Sequence, residues 1–273
     1  MHDVPSTPGV LFRYRSAALL GRTLEEVQGS LWLSIGQHLN DPFDGANVPL
    51  GEEKLTSIRW DDIPGRDEPL DLEIETKEAL VAACFFPDGD NVQMWSQYAN
   101  GFEGIVLGYD SDRLREAVKQ DKARSKLDRD LSLCGVEYTK SLAGVGDGIE
   151  GLFYKSTHWE HEKEWRLAGS VELSKSDGYS GVSLDASSAL CTILIGAKID
   201  RGSLRAIVWS VTLLAYRTGK QPELKSVHFD REANKLLTYE IYRTEIADMV
   251  GALELGATAL REQSHNTQFD YYV

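Results

Sequence analysis

Glu162-Lys163-Glu164-Trp165-Arg166 is the stretch whose residue types and spacing are best suited to chemistry. On an extended strand alternate side chains share a face. Glu162, Glu164 and Arg166 would then form one ridge, with Trp165 and Leu167 turned to the core. Such a ridge is either an ion-pair ladder on a solvated face or a catalytic acid oriented by an arginine. A second carboxylate raises its neighbour's pKa and a guanidinium lowers it, which is how acids are tuned. Glu164, Glu162 and Arg166 are the catalytic candidates.

Four other segments carry weaker signals. Met94-Trp95-Ser96-Gln97-Tyr98 sets Trp95 and Tyr98 at helical spacing, which serves a core or a stacking surface. Asn40-Asp41-Pro42-Phe43-Asp44 is a rigid turn, because Asx side chains cap turns and proline fixes φ. It is a plain turn or a polar loop at a cleft mouth. His158 and His161, with Glu162, have the spacing of metal ligands on a helix, but no further ligand of similar placement accompanies them. No metal is expected. Gly144 to Gly148 is rich in glycine without joining a convincing strand to a helix, and neither a Walker A loop nor a Gly-x-Ser-x-Gly elbow is present.

The elements that must position these residues follow from periodicity. Val10–Arg15 alternates, with Phe12 and Tyr14 on one face and Arg13 and Arg15 on the other, and Ser30–Ser34 reads as a second strand. Ala17–Gln28 between them has helical spacing and ends at Gly29. Ala79–Phe86, Gly104–Tyr109, Trp165–Leu173 and Cys191–Ile199 read as strands, and Val136–Tyr138 as an edge strand. A helix capped at Asp110 or Ser111 runs to about Lys126, and another spans Arg201–Tyr216 before Gly219. Val227–Phe229 and Leu236–Tyr242 pair as a hairpin. Without a regular βαβ rhythm, these elements predict an α+β fold with a mixed, split and largely antiparallel sheet flanked by helices. One domain spans residues 1–243, with an acidic surface excursion near 52–78, and 244–273 forms a helical tail.

Composition bounds the function. The 273 residues are 42% hydrophobic and 26% charged, the profile of a globular chain with a core. The net charge is -14, and residues 61–90 hold ten acids against Arg66 and Lys77. Binding through phosphates needs a basic surface, so a broad nucleic-acid interface is not expected. Cys84, Cys134 and Cys191 form no CxxC pair and read as reduced, mostly buried thiols. The start, MHDVPSTPGV, has no signal-peptide character, and the longest apolar stretches fall well short of a membrane span. A soluble cytoplasmic protein with no membrane partner is expected.

Taken in order, FRYRS, SLWLS, NDPFD, MWSQY, KSTHWEHEKEWRL and ILIGAKI resemble one widespread bacterial family of unknown function, from Tyr14 to about Tyr242. A more distant resemblance is to ADP-ribosyltransferases of the DarT type, in the order arginine, serine, Glu-x-Glu. That resemblance implies an ADP-ribosyltransferase-like fold, NAD as co-substrate, and a defence or toxin setting. It makes Arg15 or Arg13 the NAD-phosphate contact and Ser34 the nicotinamide-ribose residue. Glu164 becomes the catalytic glutamate and Glu162 an accessory acid. Tyr14, Trp95 or Tyr98 would stack on nicotinamide or adenine, with Asn40 and Asp41 at the cleft mouth. Ile35-Gly36 departs from the polar Thr-Ser that usually follows the serine.

Three functions compete. The first is an NAD-using transferase or glycohydrolase, taking a small-molecule nucleotide and an unidentified macromolecular acceptor. The second is a non-enzymatic ligand-binding or sensor module. The third is a metal-dependent hydrolase or nuclease using Asp41, Asp44 and Glu164.

Overall fold

The computed structural model describes residues 6–39, 50–60, 70–125, 129–142, 145, 148–175, 178–233 and 235–241. Among them the chain forms β1 (Val10–Arg15), α1 (Leu20–Val27), β2 (Ser30–Ile35), β3 (Glu53–Trp60), β4 (Leu70–Phe85) and α2 (Val92–Tyr98). There follow β5 (Ile105–Asp110), α3 (Ser111–Arg124), β6 (Arg129–Gly135), β7 (Glu137–Thr139), β8 (Tyr154–Ser156) and β9 (Trp165–Ser174). The last elements are β10 (Gly181–Asp185), β11 (Leu190–Ile195), α4 (Arg201–Thr218), β12 (Glu223–Asp230) and β13 (Lys235–Glu240). Among the described residues one sheet runs β1-β5-β11-β12-β13, and a second runs β10-β2-β4-β9-β6 with β3 beside β4. The pairings are antiparallel except β11 with β12 and β7 with β8. The fold is α+β with a split, mostly antiparallel sheet.

The two sheets share one core. Leu11, Leu107 and Ile193 of the first sheet join Leu33, Val81 and Leu167 of the second in a single buried cluster. Each fully buried aliphatic side chain of this kind contributes about 1.5–3 kcal/mol. Val27, Leu114, Ile207, Val211 and Leu214 bring α1, α3 and α4 against the same cluster. α3 and α4 start on side-chain caps: Asp110 accepts from the Arg113 N–H and Asp200 from the Ser203 N–H. α4 stops at Gly219, whose φ of 70° is a left-handed cap that a side chain would disfavour. The other face of the first sheet packs Tyr14, Val106 and Leu194 against Met94 and Trp95 of α2.

Several elements differ from the reading of the sequence. Two parts of the acidic stretch are strands: β3 pairs antiparallel with the first half of β4, from Glu53 opposite Lys77 to Trp60 opposite Leu70. Leu55 and Leu72 are exposed on it, so this hairpin stands at the surface. β6 and β10 were not expected from the sequence; each is a short alternating run, Leu131 and Leu133 in one and Val182 and Leu184 in the other, paired on β9 and β2. The first helix is two pieces, a 3-10 turn at Ala17–Leu19 capped by Ser16 and then α1. Cys134 is exposed and Cys84 and Cys191 are half-buried, all three free, so the thiols are less buried than composition suggests. The tail 244–273 and the turn Asn40–Asp44 lie outside the described residues. No helix among the described residues is long and apolar enough to cross a membrane.

Candidate active site

The candidate site lies where the two sheets join. Phe12 of β1 and Phe86, just past β4, exchange backbone hydrogen bonds of 2.8 and 2.7 Å across the junction. A cavity of about 160 Å³ opens there, with Phe86 in its wall. Arg13, Tyr14 and Arg15 reach it from β1, Ser34 from β2, Cys84 from β4, Tyr98 from α2, and Glu164 and Arg166 from β9 with Glu162 beside them.

In its wall is a buried ionic network. Arg166 donates from Nε to Glu164 Oε1 at 2.7 Å and from Nη2 to Oε2 at 3.2 Å. Lys155 of β8 donates from Nζ to Glu164 Oε2 at 2.9 Å and to Glu162 Oε2 at 2.7 Å. Tyr98 donates its hydroxyl to Glu162 Oε1 at 2.7 Å. Arg166 is further tied to the Leu152 carbonyl at 2.7 Å, and the Tyr138 hydroxyl accepts from the Glu164 N–H at 2.7 Å. All four charged residues are buried: Lys155, Glu162, Glu164 and Arg166. A buried charge survives only when paired and hydrogen-bonded, which this network achieves.

The local backbone explains how both acids face one lysine. Glu162 ends a 3-10 helix spanning Thr157–Glu162 and does not continue β9, which begins at Trp165. Lys163 between them is left-handed at φ 48°, an uncommon conformation for a side chain with a Cβ. The turn brings Glu162 back beside Glu164, so the expected three-residue ridge is a strand pair, Glu164 and Arg166, plus an acid delivered by a turn. Trp165 and Leu167 do face the core.

The other candidates divide. Arg13 is a strut: it donates to Glu26 at 3.3 Å, to the Cys84 carbonyl at 3.2 Å and to the Trp32 carbonyl at 3.0 Å, with its side chain only 8% exposed. Arg15 forms a bidentate pair with Glu26 and keeps 24% exposure, so it can still meet a ligand. Tyr14 touches the cavity but spends its hydroxyl on the Asp88 carbonyl at 2.7 Å and packs edge-on against Phe86 and Trp95. Trp95 is not in the cavity wall; it is fully buried, stacked on Phe102 at 5.2 Å, with its indole N–H on the Gly89 carbonyl. Ser34 is half-buried, at the end of the strand whose Leu31 and Leu33 face the core.

Lys155, Cys84 and His38 also line the cavity, and sequence reasoning missed them. Lys155 sits in a three-residue strand between Tyr154 and Ser156 with no spacing to mark it. Glu26 was missed because it lies in a helix whose visible pattern is its leucines. His158 turns its Nδ1 to the Ser156 hydroxyl at 2.7 Å. No group of three His, Cys, Asp or Glu among the described residues is placed to hold a metal ion.

Electrostatics fix the protonation state. Burial alone would raise the Glu164 carboxyl, but Arg166 and Lys155 hold it down at about 2. Burial, with Glu164 beside it, pushes the Cys84 thiol up to about 12, so it stays protonated. Glu164 therefore stabilises the fold above its unfolded pKa near 4.5, and that stabilisation is lost as pH falls toward 2. It is on the order of 3 kcal/mol at neutral pH. The stability difference between wild type and Glu164→Gln, from urea unfolding, is expected to be largest above pH 5 and to close toward pH 2. A difference that is constant from pH 7 to pH 2 contradicts this.

No curated protein and no solved structure matches the chain. The stretch that does match a family model is shorter than the Tyr14–Tyr242 span of the sequence motifs. Residues 94–167, which run from α2 into β9 and carry Tyr98, Lys155, Glu162, Glu164 and Arg166, match the model of a family described as a protein of unknown function, DUF2971.

Proposed function

We propose that the cleft binds NAD and cleaves its nicotinamide–ribose bond, as an ADP-ribosyltransferase or an NAD glycohydrolase. The observation that carries this reading is the convergence of Arg15, Ser34 and Glu164 on one cavity from β1, β2 and β9. The cavity, about 160 Å³ and half open to solvent, suits one ring-sized fragment rather than a whole dinucleotide. In this reading nicotinamide sits inside and the diphosphate outside against Arg15, the more exposed arginine of the pair at 24%. Arg13 is the less suited phosphate contact, with three of its five N–H donors on Glu26 and two carbonyls and its side chain only 8% exposed. Breaking the bond develops positive charge on the ribose, as in glycoside hydrolysis, and a fixed carboxylate stabilises it.

A second reading, a binding module without turnover, is favoured by the way Glu162 and Glu164 are already closed into ion pairs. Nicotinamide release on incubation with NAD separates the two, since a binding module takes up NAD and releases nothing. Arg15→Ala is expected to weaken NAD affinity about 10- to 100-fold by calorimetry, the worth of a charge-assisted hydrogen bond. Wild-type protein that neither binds NAD nor releases nicotinamide overturns the proposal.

A further inference from the structure

We propose that Lys155 is the positioning residue of the acid pair, its one ammonium fixing Glu162 and Glu164 together as anions in the wall of the cleft. The inference rests on the reading of Glu164 as the centre of that site. Its geometry is independent of that reading. Nζ lies 2.7 Å from Glu162 and 2.9 Å from Glu164, so both carboxylates stand within reach of a single ammonium. The same ammonium sits 4.8 Å from the centre of the Trp159 ring, whose negative face fixes it from a further side. Its stem is short of freedom too: Lys155 lies on β8, paired in parallel with β7, and is buried.

Among the described contacts, the other groups around the pair each meet one acid. Arg166 on β9 pairs with Glu164 and also donates to the Leu152 carbonyl. Tyr98 from α2 gives Glu162 a neutral hydrogen bond, Cys84 from β4 brings a protonated thiol to Glu164, and Tyr138 from β7 meets the Glu164 backbone. Among the described contacts Lys155 and Arg166 stand against Glu162 and Glu164, and Lys155 is paired with both acids. Burial would lower the lysine's pKa, and the two carboxylates raise it instead, so it holds its proton. Without that cation two neighbouring buried carboxylates share one arginine, and such pairs hold a proton between them. A protonated pair could not supply the fixed negative charge that the cleft needs.

The test is a titration of full-length protein labelled with ¹³C at the glutamate carboxyls, which needs no NAD. In the wild type the Glu164 signal is expected to stay ionised from pH 8 down to pH 4. Lys155→Met keeps the stem and removes the charge, and the acid pair should then take up one proton above about pH 5. Lys155→Met combined with Glu162→Gln restores neutrality, and the uptake should vanish. Lys155→Arg should behave as the wild type. Where nicotinamide release is measurable, Lys155→Met should gain an acid limb in its pH profile that the double variant lacks.

An identical Glu164 titration in wild type and Lys155→Met overturns the proposal. If Lys155→Met does not fold, the neutral double variant should; a double variant that is equally unfolded also overturns it, making Lys155 a packing element. If the titrations behave as expected while wild type leaves NAD intact, the NAD reading fails and the role of Lys155 stands.

Discussion

Glu26→Ala should lower stability by about 3–5 kcal/mol, the cost of stranding buried charge when one member of a buried ion pair is removed. Glu26 is fully buried on α1, and its carboxylate accepts from both Arg13 and Arg15 of β1. Burial would raise its pKa, but the two arginines hold it below the usual carboxylate range. The substitution leaves two guanidiniums facing each other, one of them 8% exposed. Arg13 also ties the carbonyls of Trp32 in β2 and Cys84 in β4, so the triad clamps the first sheet to the second at the cleft. Thermal unfolding should show a midpoint lower by roughly 10 °C, at a few degrees per kcal/mol for a chain of this size. The control is Glu116→Ala: its pair with Lys119 is 57% and 75% exposed and should be worth under about 1 kcal/mol. Equal midpoints for Glu26→Ala and Glu116→Ala would show that the triad does not hold the sheets.

What was legible in the sequence was whatever repeats locally. Val10–Arg15 shows its two faces in its alternation, and the structure uses both, Tyr14 toward α2 and Arg13 toward Glu26. Asp110 and Asp200 stand where a helix must begin, and each caps one. Strands β6 and β10 were not read because their alternation is brief, Leu131 and Leu133 in one and Val182 and Leu184 in the other, and a run that short does not separate a strand from a loop. Half of the ionic network was legible: Glu164 and Arg166 are two apart on a strand, and alternation predicts their shared face. The other half comes from contacts that no spacing encodes. Lys155 arrives from a different strand, Tyr98 reaches Glu162 from 64 residues away, and the left-handed turn at Lys163 redirects Glu162. Trp95 shows the opposite case: an aromatic at helical spacing that packs in the core.

Glu164→Gln should cut nicotinamide release about 10²–10³-fold, the usual cost of losing one preorganised electrostatic group. The reason is the charge state. A carboxyl held at about 2 is a poor proton carrier near neutral pH, where an efficient acid or base has a pKa close to the working pH. Glu164 is suited instead to stand as a permanent anion while positive charge develops on the ribose. Glutamine keeps the shape and one acceptor oxygen but removes that charge, and its amide then meets donors from Arg166 or Lys155. Some stability is lost with it, so release has to be measured at a temperature where circular dichroism shows the variant folded. NAD affinity should change far less than turnover, because the group acts mainly on the transition state. Arg15→Ala should do the reverse, weakening affinity more than the rate from the bound state. The contrast is the decisive part. If Glu164→Gln, folded, releases nicotinamide as fast as the wild type, Glu164 is not the residue that stabilises the breaking bond. Its pair with Arg166 is then a structural brace of the cleft.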